Sequence, residues 1–325
     1  MFDPFSIFYK ASLEVQPMLE KPHPAILNRD EPIAVAAEHF AKQTALLRDL
    51  ANYGSNLIIR AFDSSPKKMA EVVVCGVLLK QGVAMVDAVE VLLTAGCGHA
   101  SFLPARTAFE ASIYADWILQ ADSEKRATRY IVANFRDERL WTARVTPGTV
   151  EEAAFTQIAN NLGLDIHAKR PTLAADATTH LAEVDRILAQ PELLAVDLEF
   201  TAARRKRKRD PEWYELDGLS SIRQIADKVQ RLPEYEFFYS KGSQVAHTGS
   251  YKDHIRFSSG QVRFKPIRHL ADVNMLLNFV VSNCLATYKR VLSQYRPGEL
   301  DAYARKYRED WREPFQNVVA VNYDF

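Results

Sequence analysis

Residues 101–119 read SFLPARTAFEASIYADWIL. Ser101 opens a helix, and Pro104 falls in its first turn, where the missing N–H is tolerated. Set into this apolar run are Arg106 and Glu110. They are four residues apart and share one helix face. An unpaired buried charge is costly, so both side chains need partners. A second stretch supplies them. Residues 234–250 read EYEFFYSKGSQVAHTGS, and Tyr239, Ser243 and His247 are again spaced by four. The simplest joint reading brings the two clusters into one polar site inside a helical bundle.

The helical pattern continues on both sides. Asp30 and Pro32 open a long helix carried by Ile33, Phe40, Leu47, Leu50 and Leu57 at apolar helical spacing. Ser65-Pro66 starts a second, which Gly96-Cys97-Gly98 breaks. Ser123 starts the helix after Glu110, and Thr149-x2-Glu152 is a capping box for a short helix that Gly163 closes. From about 165 to 218 the pattern weakens. Pro171, Pro191 and Pro211 punctuate it, and RRKRKR runs from Arg204 to Arg209. Shorter, less tightly packed helices are expected there. Ser220 or Ser221 caps the next helix, and Pro233 opens the one that carries His247. Ile255-Arg256-Phe257, SSGQ and Val262-Arg263-Phe264 read as a hairpin. The expected fold is all-α, a helical bundle with one small β-hairpin after the His247 helix. It forms a single helical domain over 1–325, with a C-terminal helix and tail at about 298–325.

Composition narrows the function classes. The 325 residues carry 41 Lys plus Arg and 41 Asp plus Glu. Net charge therefore gives no case for nucleic acid or an anionic membrane, and any such case is local. Cys75, Cys97 and Cys284 are scattered, with no CxxC pair. That argues against a disulfide scaffold and fits a reducing, cytoplasmic setting. MFDPFSIFYKASLEV lacks a basic start followed by an apolar core, so no signal peptide is expected. The apolar stretch from Val72 to Leu93 is interrupted by Lys80, Gln81, Asp87 and Glu90. It reads as a buried bundle helix rather than a membrane span. HExxH and CxxC are absent, and Glu20-x2-His23 sits among prolines, so no metal is expected. Without GxxxxGK[ST] or GxGxxG, no nucleotide cofactor is expected either.

Arg106-x3-Glu110 before an aromatic helix, followed by Tyr239-x3-Ser243-x3-His247 with Gly249 behind it, resembles the bacterial domain-of-unknown-function family 5677. The resemblance runs from the second long helix to the helix after the hairpin. It implies an α-helical fold and no settled activity. A looser resemblance is to HEPN-type helical ribonucleases, whose signature is Arg, four to six residues, then His. Here Lys241 stands in the arginine position before His247. Lysine brings a point charge where arginine brings a planar fork.

Two functional classes remain open. In one, the chain is a metal-independent ribonuclease or toxin-like phage-defence enzyme acting on RNA. His247 moves the proton, Arg106 and Lys241 neutralise phosphate, and Glu110 orients His247 or Arg106. Ser243 is then a hydroxyl partner or a nucleophile, and Tyr239 and Lys241 contact substrate. In the other, the same cluster is structural or binds a ligand or protein partner. RRKRKR is likewise either a phosphate-binding patch or, by preference, a solvated mobile loop. Exposure of His247 in a cleft separates the two classes.

Overall fold

The structure is a computed structural model, and it describes residues 27–63, 65–163, 171–207, 209–247, 249, 251–258 and 261–321. The N-terminal stretch, Glu20-x2-His23, Lys208 and the Ser259-Gly260 tip of the hairpin turn lie outside the described residues.

Helices are numbered in chain order. α1 (Asp30–His39) leads into α2 (Ala41–Phe62); α3 (Met69–Thr94), α4 (Phe102–Gln120) and α12 (Val273–Tyr295) complete the core. α2 packs on α3, α3 on α4, α4 on α12, and α12 back on α2. Leu50, Leu57, Val89, Phe109, Ile113 and Leu276 are fully buried between them. Each such side chain contributes about 1.5–3 kcal/mol of hydrophobic stabilisation.

α3 is long and apolar enough to cross a membrane by length and composition. Here it packs against α2, α4 and α5 (Ser123–Ala143). Its buried carboxylates are satisfied within the fold. Glu71 accepts hydrogen bonds from Ser123 Oγ at 2.5 Å and Tyr295 OH at 2.8 Å, and Glu90 pairs with Arg48 at 2.5 Å.

Three expectations change. The first long helix is two, because the chain bends at Phe40, whose ring is fully buried. α3 begins at Met69 rather than at Ser65-Pro66. The region expected to be irregular forms two long helices, α7 (Pro171–Leu188) and α8 (Pro191–Arg207). Their prolines stand at the first helical position, where a preset φ favours initiation. Punctuation that weakens the sequence pattern is therefore helix starts.

Buried arginines of α5 pin α8 and the following segment. Arg129 pairs with Glu199 at 2.9 Å and with Asp217, and Arg136 pairs with Asp197 at 2.5 Å and Asp210 at 2.7 Å. From Arg204 to Arg207 the basic run is a helix end rather than a loop. Arg204–Arg207 form the last turn of α8, where cations complement the helix dipole. Arg207 and Arg209 both hold Glu215, at 2.8 Å and 2.7 Å.

α6 (Val150–Asn161) is capped as expected, with Thr149 Oγ1 accepting the Glu152 N–H at 3.0 Å. α9 (Ile222–Lys228) is capped by Ser221. A short turn, α10 (Leu232–Glu234), a π-helical turn (Tyr235–Tyr239) and α11 (Ser240–Ala246) then run on without a break. β1 (Ile255–Ser258) and β2 (Gln261–Phe264) pair antiparallel, with Phe257 opposite Val262 and Arg256 opposite Arg263. The chain closes with α13 (Leu300–Lys306), a second π turn (Tyr307–Trp311) and α14 (Arg312–Gln316). Buried Trp311 docks this end on α2, donating Nε1–H to Asp49 at 2.8 Å. The fold is all-α with one small hairpin, as the sequence pattern predicts.

Candidate functional site

α11 lies against α4, and glycine allows the approach. A Cβ on Gly242 would stand 2.8 Å from Arg106 Cβ and 2.9 Å from the Phe102 carbonyl oxygen. The two helices run in opposite directions, because Tyr239 meets Glu110 while Gly242 meets Phe102 and Arg106.

Across this contact Arg106, Glu110 and Tyr239 close a triangle. Arg106 donates Nε–H to Glu110 Oε1 at 3.0 Å and Nη2–H to Tyr239 OH at 3.0 Å. Tyr239 OH donates to the same Glu110 oxygen at 2.7 Å. Burial and the neighbouring Glu110 carboxylate push the Tyr239 hydroxyl well above its ordinary pKa, so it stays a donor. Tyr235 stacks on Tyr239 with ring centroids 4.6 Å apart, which the π-helical turn between them permits. The Arg106 and Glu110 side chains keep 21% and 25% exposure, so the triangle is reachable from solvent.

The other expected site residues follow along α11. Ser243 is half-buried one turn beyond Tyr239. His247 is exposed at the C-terminal end of α11, outside the triangle. The direction of the helices carries both toward the N-terminal end of α4. Lys241 turns to another side, pairing with Asp253 at 2.7 Å and Asp272 at 3.7 Å.

Two polar constellations have no local signature in the sequence. Beneath the triangle, Arg231 is buried. It donates to Ser112 Oγ at 2.5 Å, Asp116 Oδ2 at 3.1 Å, Asn283 Oδ1 at 2.7 Å and Glu234 Oε2 at 2.5 Å. Beside Lys241, the rings of His99 and His254 pack edge to face at 4.9 Å, and His269 lies 6.1 Å from His99. Among the described residues, no group of three or more His, Cys, Asp or Glu is placed to hold a metal ion.

The histidine group carries a pH dependence. Burial pulls His99 and His269 below the ordinary histidine value of 6.5. Asp253 and Asp272 oppose the shift at both rings; His254 and Lys241 add to it at His99, and Lys265 and His99 at His269. The unfolded chain therefore takes up these protons at a pH where the folded chain does not. Their contribution is complete above about pH 6.5 and is lost as pH falls toward the folded values. The thermal midpoint should be lower at about pH 5 than at pH 7, with a smaller difference in His99→Gln. Identical pH profiles for the parent and His99→Gln would remove His99 from this account.

The model of a family described as "Family of unknown function (DUF5677)" matches residues 72–262, more than half of the chain. The chain belongs to this family. The matched span includes the Arg106–Glu110–Tyr239 triangle, His247 and most of the hairpin. No curated protein and no solved structure matches it.

Proposed function

We propose that this member of the DUF5677 family is a cytoplasmic ribonuclease that cleaves single-stranded RNA without a metal ion, with His247 as the general base. The observation that carries the reading is the exposure of His247 at the end of a polar row that begins with a cation, directly before a basic, aromatic hairpin. A sealed His247 would favour a purely structural cluster.

The hairpin suits a single strand of RNA. Tyr251, Phe257 and Phe264 are 59%, 68% and 86% exposed. Phe257, Val262, Ile255 and Phe264 share one face, because residues directly opposite in an antiparallel pair point the same way. The opposite face sets Arg256 against Arg263, a like-charge pairing that weakens a bare hairpin. Lys252, Arg263 and Lys265 make no ion pair with any described residue. Exposed rings on which bases stack, beside cations that track phosphates, are the working parts of single-strand binders.

In the proposed reaction His247 takes the proton of a ribose 2′-hydroxyl. The 2′ oxygen attacks the adjacent phosphorus, and the bond to the 5′ oxygen breaks. That oxygen leaves as a hydroxyl with a proton from water, and a 2′,3′-cyclic phosphate remains. Arg106, oriented by Glu110 and Tyr239, offsets the charge that develops on phosphate. Nη1 of Arg106 makes no hydrogen bond with a described residue, so a donor remains for that purpose. Cys75, Cys97 and Cys284 are free thiols, which suits a reducing compartment.

The test is incubation of the full chain with end-labelled single-stranded RNA in EDTA. Cleavage should persist and leave 2′,3′-cyclic ends. Phe257→Ala with Phe264→Ala should raise KM while leaving kcat near that of the parent, since the rings bind rather than react. Cleavage abolished by EDTA would defeat the mechanism. RNA bound but uncut would favour the non-catalytic reading, in which the closed triangle locks α11 to α4.

A further inference from the structure

We infer that the face between α5 and α8 binds a guanosine di- or triphosphate, with its phosphates among Arg139, Arg204 and Arg205 and its base in the adjoining aromatic cavity. This site is remote in sequence from His247 and does not rest on the ribonuclease reading.

Two cavities of about 460 Å³ each meet at Arg136. The first is walled by Arg136, Arg139, Thr201, Arg204 and Arg205. The second is walled in part by Tyr130, Phe200, Trp213, Asn134 and Glu212. A third, of about 200 Å³, shares Arg136, Arg139 and Arg204 with the first. Together they have the size and the apolar-to-polar division of a small-molecule site.

The charges divide into a fixed anchor and loose partners. Arg136 is 6% exposed and is held by Asp197 at 2.5 Å, Asp210 at 2.7 Å and Thr201 Oγ1 at 3.2 Å. Arg139 reaches Asp197 and Asp185 only at 3.6 Å and 3.7 Å, and Arg204 reaches Asp210 at 3.3 Å. Exposed Arg205 makes no ion pair with any described residue. Arg136, Arg139 and Arg204 thus face Asp185, Asp197 and Asp210, and the outer three arginines, Arg205 included, are weakly committed. Planar guanidiniums are matched to phosphate oxygens. Arg136 Nε is buried and makes no hydrogen bond with a described residue. A buried donor left over at a cavity wall calls for a water or ligand oxygen.

The second cavity selects the base. Tyr130 and Trp213 meet edge to face at 5.6 Å, giving an apolar wall for a flat ring. Beside the donors of Tyr114, Tyr130 and Trp213, its walls carry acceptors. Asn134 donates one of its two amide N–H groups to the Tyr130 carbonyl at 2.8 Å, which leaves the second N–H and its carbonyl oxygen, and Asp137 and Glu212 add carboxylates. Guanine presents N1–H and a 2-amino group to such a wall, whereas adenine presents one amino group beside a ring acceptor.

Calorimetric titration of the full chain with GTP, GMP and ATP tests this. GTP should bind at least about tenfold more tightly than GMP or ATP. Arg139→Gln with Arg205→Ala should weaken GTP binding by about tenfold or more, with the circular dichroism spectrum unchanged. Absence of GTP binding at about 1 mM, or binding undiminished in the double variant, overturns the site. Equal affinity for ATP and GTP overturns the guanine assignment.

Discussion

Arg231→Ala lowers the free energy of unfolding by about 3–5 kcal/mol, the usual cost of removing one partner of a buried ion pair. Arg231 is 7% exposed and Asp116 is 4% exposed. The arginine bonds groups from three elements: Ser112 and Asp116 on α4, Asn283 on α12, and Glu234 on its own segment. Its guanidinium also stands 4.9 Å from the centre of the Phe109 ring. Truncation leaves the Asp116 carboxylate buried. Arg290 remains at 3.2 Å, but its side chain is 43% exposed and reaches only one oxygen. Arg290→Ala should therefore cost far less, within about 1 kcal/mol. Arg231→Met combined with Asp116→Leu should recover much of the loss, because no buried charge is then left unpaired; Glu234 and Arg290, which lose a partner, keep 30% and 43% exposure. Urea unfolding at a constant m value measures all three. A loss under about 1 kcal/mol for Arg231→Ala would mean that the network does not hold these elements together.

His247→Ala should cut RNA cleavage by about 10²–10⁴-fold, the range for a general base, and leave the thermal midpoint close to that of the parent. The two readouts separate chemistry from structure, because His247 is exposed and outside the triangle. Glu110→Ala should lower both readouts, because Glu110 also orients Arg106 in the proposed reaction. It removes the one oxygen that accepts from both Arg106 and Tyr239. Two part-buried donors lose their acceptor, at about 1–3 kcal/mol. Full cleavage by His247→Ala would remove the histidine from the mechanism. A large fall in its midpoint with no cleavage by the parent would assign His247 to structure.

The helices were legible because their signals are local. Leu50 and Leu57 of α2 and Phe109 and Ile113 of α4 recur on one face each, and an apolar face must be covered. The hairpin was legible for the same reason, as two short runs flanking a glycine turn. The prolines of the region expected to be irregular misled, because proline starts a helix as readily as it ends one. Pro171 and Pro191 each stand first in a long helix.

The meeting of Arg106 and Glu110 with Tyr239 could be read from spacing, since four residues make one face and a charge on an apolar face must find company. The company kept by Lys241 could not. Asp253 and Asp272 become its partners only when the loop before β1 and the start of α12 are brought beside α11. Arg231 with Asp116 and Asn283, Arg136 with Asp197 and Asp210, and His99 with His254 and His269 are alike in this. In each, the partners lie tens to hundreds of positions away in the sequence.

Periodicity along the chain thus settles which segments are helical and which faces are buried, because backbone hydrogen bonding and side-chain direction repeat over a few residues. Which charge pairs with which, and whether His247 ends inside the bundle or in solvent, follow from packing. Hydrogen bonds form only at close approach and Coulomb energy falls with distance in space, and only the folded chain sets those distances.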